Sequence, residues 1–239
     1  MSASNSKILG LAVAGLLSLT AAASASGASP SRPAPEVILV YTEPPGPIFD
    51  RLCQRMTGTP AQPAKVEELY RRLPEFQALW NKEGPAYIAE AVKATGKPFP
   101  YTQVQAVMTA CGEDDLSIAM PLLISGIPYL AGAKEAEPLM MFPRLVFHEM
   151  MHTYTQPIDK SSAIRRKYPG EPLTVLDHLH VLALEAHVLK ALGKKEELAW
   201  LDHGYRTAAP PPYKRAWEIV MDIEGPQALI DELKSLPWK

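Results

Sequence analysis

Two cysteines in 239 residues, Cys53 and Cys111, are too few for a disulfide-stapled scaffold or a four-cysteine zinc site. The chain also lacks an excess of positive charge. Its 24 Lys and Arg are outnumbered by 26 Asp and Glu, for a formal charge of -2. That excludes a strongly basic nucleic-acid binder and gives no general attraction to anionic lipid. Past the first twenty residues, no apolar run approaches the roughly 20 residues needed to span a bilayer. There is no internal repeat and no break in composition. What the chain has instead is proline. Its 24 prolines are roughly twice average usage, which predicts short elements and many ordered loops. The apolar share of 47% is ordinary for a protein that buries a core.

The N-terminus reads as a leader. Lys7 precedes an uncharged apolar run from Ile8 to Leu19, small residues follow, and Ala23-Ser24-Ala25 has the A-x-A form of a cleavage site. The expected organisation is therefore a signal peptide over 1–25, a flexible lead-in over 26–35 and a single domain over 36–239. The mature protein is expected to be exported, to the periplasm or the medium, without stable membrane insertion. In an oxidising compartment Cys53 and Cys111 can pair; two buried free thiols are the alternative.

Within the domain, EVILVYT at 36–42 predicts a strand. Residues 48–56 predict a short helix. Helical spacing recurs over 65–79 and again over 86–95, and Gly96 with Pro98 and Pro100 ends the second stretch. Residues 101–110 alternate as a half-buried strand. Residues 116–125 form another extended apolar run, and Pro121 within it suits an edge or a bulge. Residues 138–156 predict a helix whose regular part starts near Pro143, and 173–192 a long one closed by Gly193. A further helix starts at 195, and two short helices, 214–221 and 226–236, follow the rigid Pro210-Pro211-Pro212.

The chemistry concentrates in Val146-Phe147-His148-Glu149-Met150-Met151-His152, which contains H-E-x-x-H. On a helix, positions i and i+4 share a face, so His148 and His152 can direct their imidazoles at one metal ion. Glu149 lies beside them as a potential general base for a metal-bound water. A zinc ion needs at least one more protein ligand. On a helical wheel of 173–192, Glu185 falls in the middle of Val181, Leu182, Val188, Leu189 and Leu192. A carboxylate on an apolar stripe is costly unless it is paired or binds metal. Glu185 is therefore the expected third ligand, with His178, seven residues earlier on the same stripe, as runner-up. The competing reading of Glu185 is a buried salt bridge, to Arg144 or Arg165. His180 and His187 fall on the opposite side and read as solvent-facing.

H-E-x-x-H followed by a glutamate on a second helix resembles the gluzincin branch of the zincin metallopeptidases. The resemblance implies an α+β fold: a small N-terminal mixed sheet with an edge strand beside the cleft, then the H-E-x-x-H helix, then a ligand-bearing helix. It implies Zn2+ held by His148, His152 and Glu185, with Glu149 as general base, and a peptide or protein as substrate, its extended backbone pairing with the edge strand. An oxyanion-stabilising donor is expected among Tyr205, His203, Tyr213 and His178. The sequence departs from two better-known branches. Thr155 and Ile158 stand where a longer metzincin pattern has Gly and His, and Ala183-Leu184-Glu185-Ala186-His187 lacks the surroundings of the thermolysin-like ligand. The alternative function is a zinc-binding envelope protein without catalysis, acting in binding or assembly.

Overall fold

Strand β1 (Glu36–Val40) buries Val37 and Leu39 and turns Glu36 and Ile38 outward, as period-2 alternation requires. The computed structural model describes residues 34–41, 51, 54–112, 117–119, 121–156 and 161–236, all within the compact unit Arg32–Lys239. The expected signal peptide and most of the lead-in lie outside the described residues, as does most of the helix expected over 48–56.

β1 pairs with β2 (Gln103–Thr109), and β2 pairs with β3 (Leu123–Ser125), both in parallel. The sheet is thus a three-stranded parallel one in the order β1-β2-β3, not the mixed sheet expected. Residues 116–125 do not form one strand. The chain turns at Pro121 and Leu122, and Ile118 folds back to exchange both backbone hydrogen bonds with Leu123 at 2.8 and 2.9 Å. Pro121 has no amide proton to offer a ladder and sits in the bend. Both outer edges are covered. Ile118 occupies the free side of β3, and Ser117 Oγ accepts from the Ser125 amide. On β1 the Gln77 side chain acts as a short surrogate strand. Its Oε1 accepts from the Leu39 amide at 2.8 Å, and its Nε2 donates to the Val37 carbonyl at 3.0 Å. Unpaired edges invite foreign strands, and these contacts close the two that the described residues contain.

Between β1 and β2, after helical residues 51 and 54–57, runs helix α1 (Pro63–Thr95), 33 residues long with Pro74 and Pro85 inside it. The sequence had suggested two helices separated near residues 80–85. Packing overrides the local signal. Phe76, Trp80 and Tyr87 are fully buried, and burying each of these side chains contributes roughly 1.5–3 kcal/mol, enough to offset an interior proline. Gly84 belongs to this arrangement. A β-carbon there would lie 2.5–2.6 Å from three atoms of the Trp80 ring. Gly84→Ala, stabilising in an ordinary helix, is therefore expected to destabilise by about 1–3 kcal/mol through overpacking. Urea unfolding of the purified variant measures this; an unchanged or raised midpoint would contradict the packing described.

After β3 a 3-10 turn (Ile127–Tyr129) leads to helix α2 (Phe142–Thr155), opened by Pro143 in its first turn as expected. Then come α3 (Ala163–Arg166), α4 (Leu173–Ala191), α5 (Lys195–Thr207) and α6 (Pro211–Glu218). A π-helical segment (Ile219–Glu224) and α7 (Pro226–Ser235) close the chain. α4 is the hub and packs on α1, α2, α5, α6 and α7. Residues 178–186 are buried without interruption, so α4 has no solvent face in its middle. This corrects the expectation for His180. It is buried, and its Nε2 lies 2.8 Å from Glu232. Glu232 in turn accepts from the Ser162 hydroxyl and from the amides of Ala163 and Ile164 at the start of α3. His187 is partly exposed and lies 3.7 Å from Glu90.

Cys111 is disulfide-bonded, and the sequence contains one other cysteine. Cys53 lies outside the described residues. Thiol titration of the unfolded, unreduced protein should therefore find no free thiol. Two titratable thiols would count against the bridge.

Candidate metal centre

α2 and α4 cross so that three imidazoles meet. On α2, His148 and His152 are one turn apart, with ring centroids separated by 5.1 Å. His178 comes from the first half of α4, its ring 5.5 Å from His148 and 4.6 Å from His152. One potential ligand atom from each histidine lies within 4.8 Å of the other two. Three nitrogens so spaced can converge on one ion while leaving a further position open.

The outer contacts fix which nitrogens are available. His178 Nδ1 lies 2.6 Å from the Thr174 carbonyl, one turn back on α4. A carbonyl only accepts, so Nδ1 carries the proton and Nε2 the lone pair. His148 Nδ1 lies 3.3 Å from Glu185 Oε2, and an ionised carboxylate likewise only accepts. Both rings are therefore locked as Nδ1–H tautomers by a backbone carbonyl or a carboxylate, the arrangement typical around metal-binding imidazoles.

For His152 and His178 electrostatics points the same way. Burial, followed by the neighbouring His148 and His178, pulls His152 down to about 2. Burial and His148 pull His178 down to about 4. Both are neutral at neutral pH, as metal ligands must be. Burial would also lower His148, but the charge and hydrogen bond of Glu185 outweigh it and hold His148 above its ordinary value.

Glu185 is not in the group of three. It is fully buried and engaged from two sides, by His148 Nδ1 and by Arg144 Nη1, which donates to Oε1 at 3.3 Å. Burial would raise its pKa, but the charges of His148 and Arg144 and their hydrogen bonds lower it. A carboxylate on this stripe needs a partner, and Glu185 has two: the Arg144 guanidinium of the salt-bridge alternative and the His148 ring. The runner-up, His178, is the residue that joins His148 and His152 in the group of three. A wheel ranks residues around an axis but not along it, and the seven residues between His178 and Glu185 amount to about 10 Å of helix.

Glu149, the next residue after His148, is 7% exposed. Around it stand groups from the C-terminal helices. Pro210-Pro211-Pro212 sets the entry to α6, and Pro211 and Pro212 form its first turn. This carries Tyr213 against His178, ring centroids 4.6 Å apart. Tyr205 stacks on Trp217 at 4.9 Å. Burial, with the charge of Glu185 next, raises its pKa well above the ordinary phenol value, so it stays a neutral donor. His203 is exposed. Of the four donor candidates, His178 and Tyr213 are in ring contact at the imidazole group, and Tyr205 lies near enough to feel the charges of Glu185 and Glu149.

An apolar cleft of about 350 Å³ lies between α2 and the sheet, lined by Phe99, Tyr101, Val104, Leu122, Met150 and Thr153 among others. Met150 and Thr153 sit roughly 100–160° around the helix from the two histidines. The cleft therefore opens away from the imidazole group.

No protein-family profile matches this chain, nor does any curated protein or solved structure show significant similarity to it.

Proposed function

We propose that the chain is an exported zinc-dependent hydrolase acting on peptide bonds, with His148, His152 and His178 as metal ligands, Glu149 as general base and Glu185 as the outer partner of His148. The observation that carries this reading is the meeting of both H-E-x-x-H histidines with a third imidazole, two of the three held in the tautomer that metal binding needs. The donor set fits zinc: three imidazole nitrogens and one open position are the pattern of catalytic rather than structural sites. When bound, the ion would lower the pKa of a coordinated water and polarise the scissile carbonyl.

The chain's own residues supply the rest. Glu149, adjacent to His148 and largely withdrawn from solvent, accepts a proton from the attacking water and returns it to the leaving amine. Tyr213, packed against His178, is the proposed hydrogen-bond donor to developing negative charge on the substrate oxygen. Glu185 keeps the His148 ring oriented. The general base separates this reading from a metal-binding envelope protein, which needs ligands but no Glu149. Zinc analysis and peptide turnover of the wild type against Glu149→Gln test the two, as argued below.

A further inference from the structure

Arg144 stands one turn before His148 on α2, is 5% exposed, and divides its guanidinium between two carboxylates from distant parts of the chain. Nη1 donates to Glu185 Oε1 at 3.3 Å, and Nη2 lies 3.6 Å from Glu137 Oε2. Each carboxylate has a second engagement. Glu185 Oε2 receives His148 Nδ1, and Glu137 Oε2 accepts the Tyr129 hydroxyl at 2.9 Å. A continuous polar chain therefore runs from the 3-10 turn at Tyr129 through Glu137, Arg144 and Glu185 to the first histidine of the motif.

We propose that Arg144 is a positioning residue for the metal centre: it clamps the Glu185 carboxylate against His148 Nδ1 and thereby fixes the orientation and tautomer of that ligand. The inference rests on the proposed His148–His152–His178 site.

The physical need is specific. A glutamate has three rotatable side-chain bonds, and a single 3.3 Å hydrogen bond to an imidazole does not define its position. Glu185 is fully buried, so solvent does not hold it either, and an unpaired carboxylate there would be strongly disfavoured. The planar guanidinium fork supplies direction as well as charge, which a lysine ammonium does not. Arg144 is held on its far side by Glu137, so the placement of Glu185 is inherited from the segment before α2 as well as from α2 itself.

The test is a double-mutant cycle read by zinc affinity, from chelator competition, and by the visible spectrum of the Co2+-loaded protein. Arg144→Met should weaken zinc binding about 10–100-fold, the range for lost outer partners of metal-bound histidines, and should alter the Co2+ bands. In a Glu185→Ala background the same substitution should change affinity by no more than about twofold, because the side chain that carries its effect to His148 is gone. Arg144→Lys should fall between wild type and Arg144→Met. A folded Arg144→Met protein with unchanged affinity and spectrum would overturn the proposal, as would an equal loss in both backgrounds. If Arg144→Met does not fold, Arg144→Lys in the two backgrounds carries the same comparison. A wild type that takes up neither zinc nor Co2+ overturns the metal site and this inference with it. A wild type that binds, without coupling between positions 144 and 185, overturns the positioning role alone.

Discussion

His178→Ala is expected to strip the protein of its metal. Wild type should purify with, or take up, about one zinc per chain, since the three imidazoles make a single site. In the proposed site His178 supplies one of three ligand nitrogens, with its tautomer set by the Thr174 carbonyl. Removing it leaves two ligands on one helix, too few to retain zinc through dialysis. Glu185→Gln should behave differently. Glutamine still offers a carbonyl oxygen to His148 Nδ1 but loses the charge, so zinc should remain after dialysis and exchange about 10–100 times more readily. Elemental analysis of His178→Ala, Glu185→Gln and wild type, prepared in parallel, reads the difference. Full retention by His178→Ala with loss in Glu185→Gln would reinstate the carboxylate as the third ligand and contradict the arrangement proposed here.

Glu149→Gln should leave the metal and remove the reaction. Glu149 is adjacent to His148 without belonging to the group of three imidazoles, and glutamine preserves its size while abolishing its basicity. General-base contributions usually amount to 10²–10⁴, so turnover should fall by at least about a hundredfold at unchanged zinc content. The substrate class is a proposal, so the assay is an unbiased peptide mixture followed by mass spectrometry, with zinc-loaded wild type beside the variant. Equal cleavage by both would trace the activity to a contaminant. No cleavage by either, with zinc bound, would favour the non-catalytic envelope reading.

These two experiments divide along the line between local and tertiary information. The H-E-x-x-H spacing is a property of one helix. Four residues make just over one turn whatever the helix packs against, so His148 and His152 were legible as a pair and Glu149 as their neighbour. So were the start of α2 at its proline and the strand character of β1 and β2. The third imidazole was legible only as one of two residues on an apolar stripe, since choosing between His178 and Glu185 requires knowing where along α4 the other helix crosses. Arg144 was visible only as a possible counter-ion.

The same limit explains the remaining differences. The sequence of α1 reads as two helices because the helical apolar spacing lapses over 80–85, beside Gly84 and Pro85, and burial of Phe76, Trp80 and Tyr87 restores it as one. His180 reads as solvent-facing because it lies opposite the most apolar stripe of α4, yet five helices surround α4. Local sequence determined the motif, the start of α2 at its proline and the strand character of β1 and β2, because each depends on backbone geometry and spacing over a few residues. The tertiary structure alone decided that the sheet is parallel, that its described edges are closed, and that Glu185 is tied to Arg144 while His178 faces His148 and His152, because those outcomes depend on contacts between residues far apart in the chain.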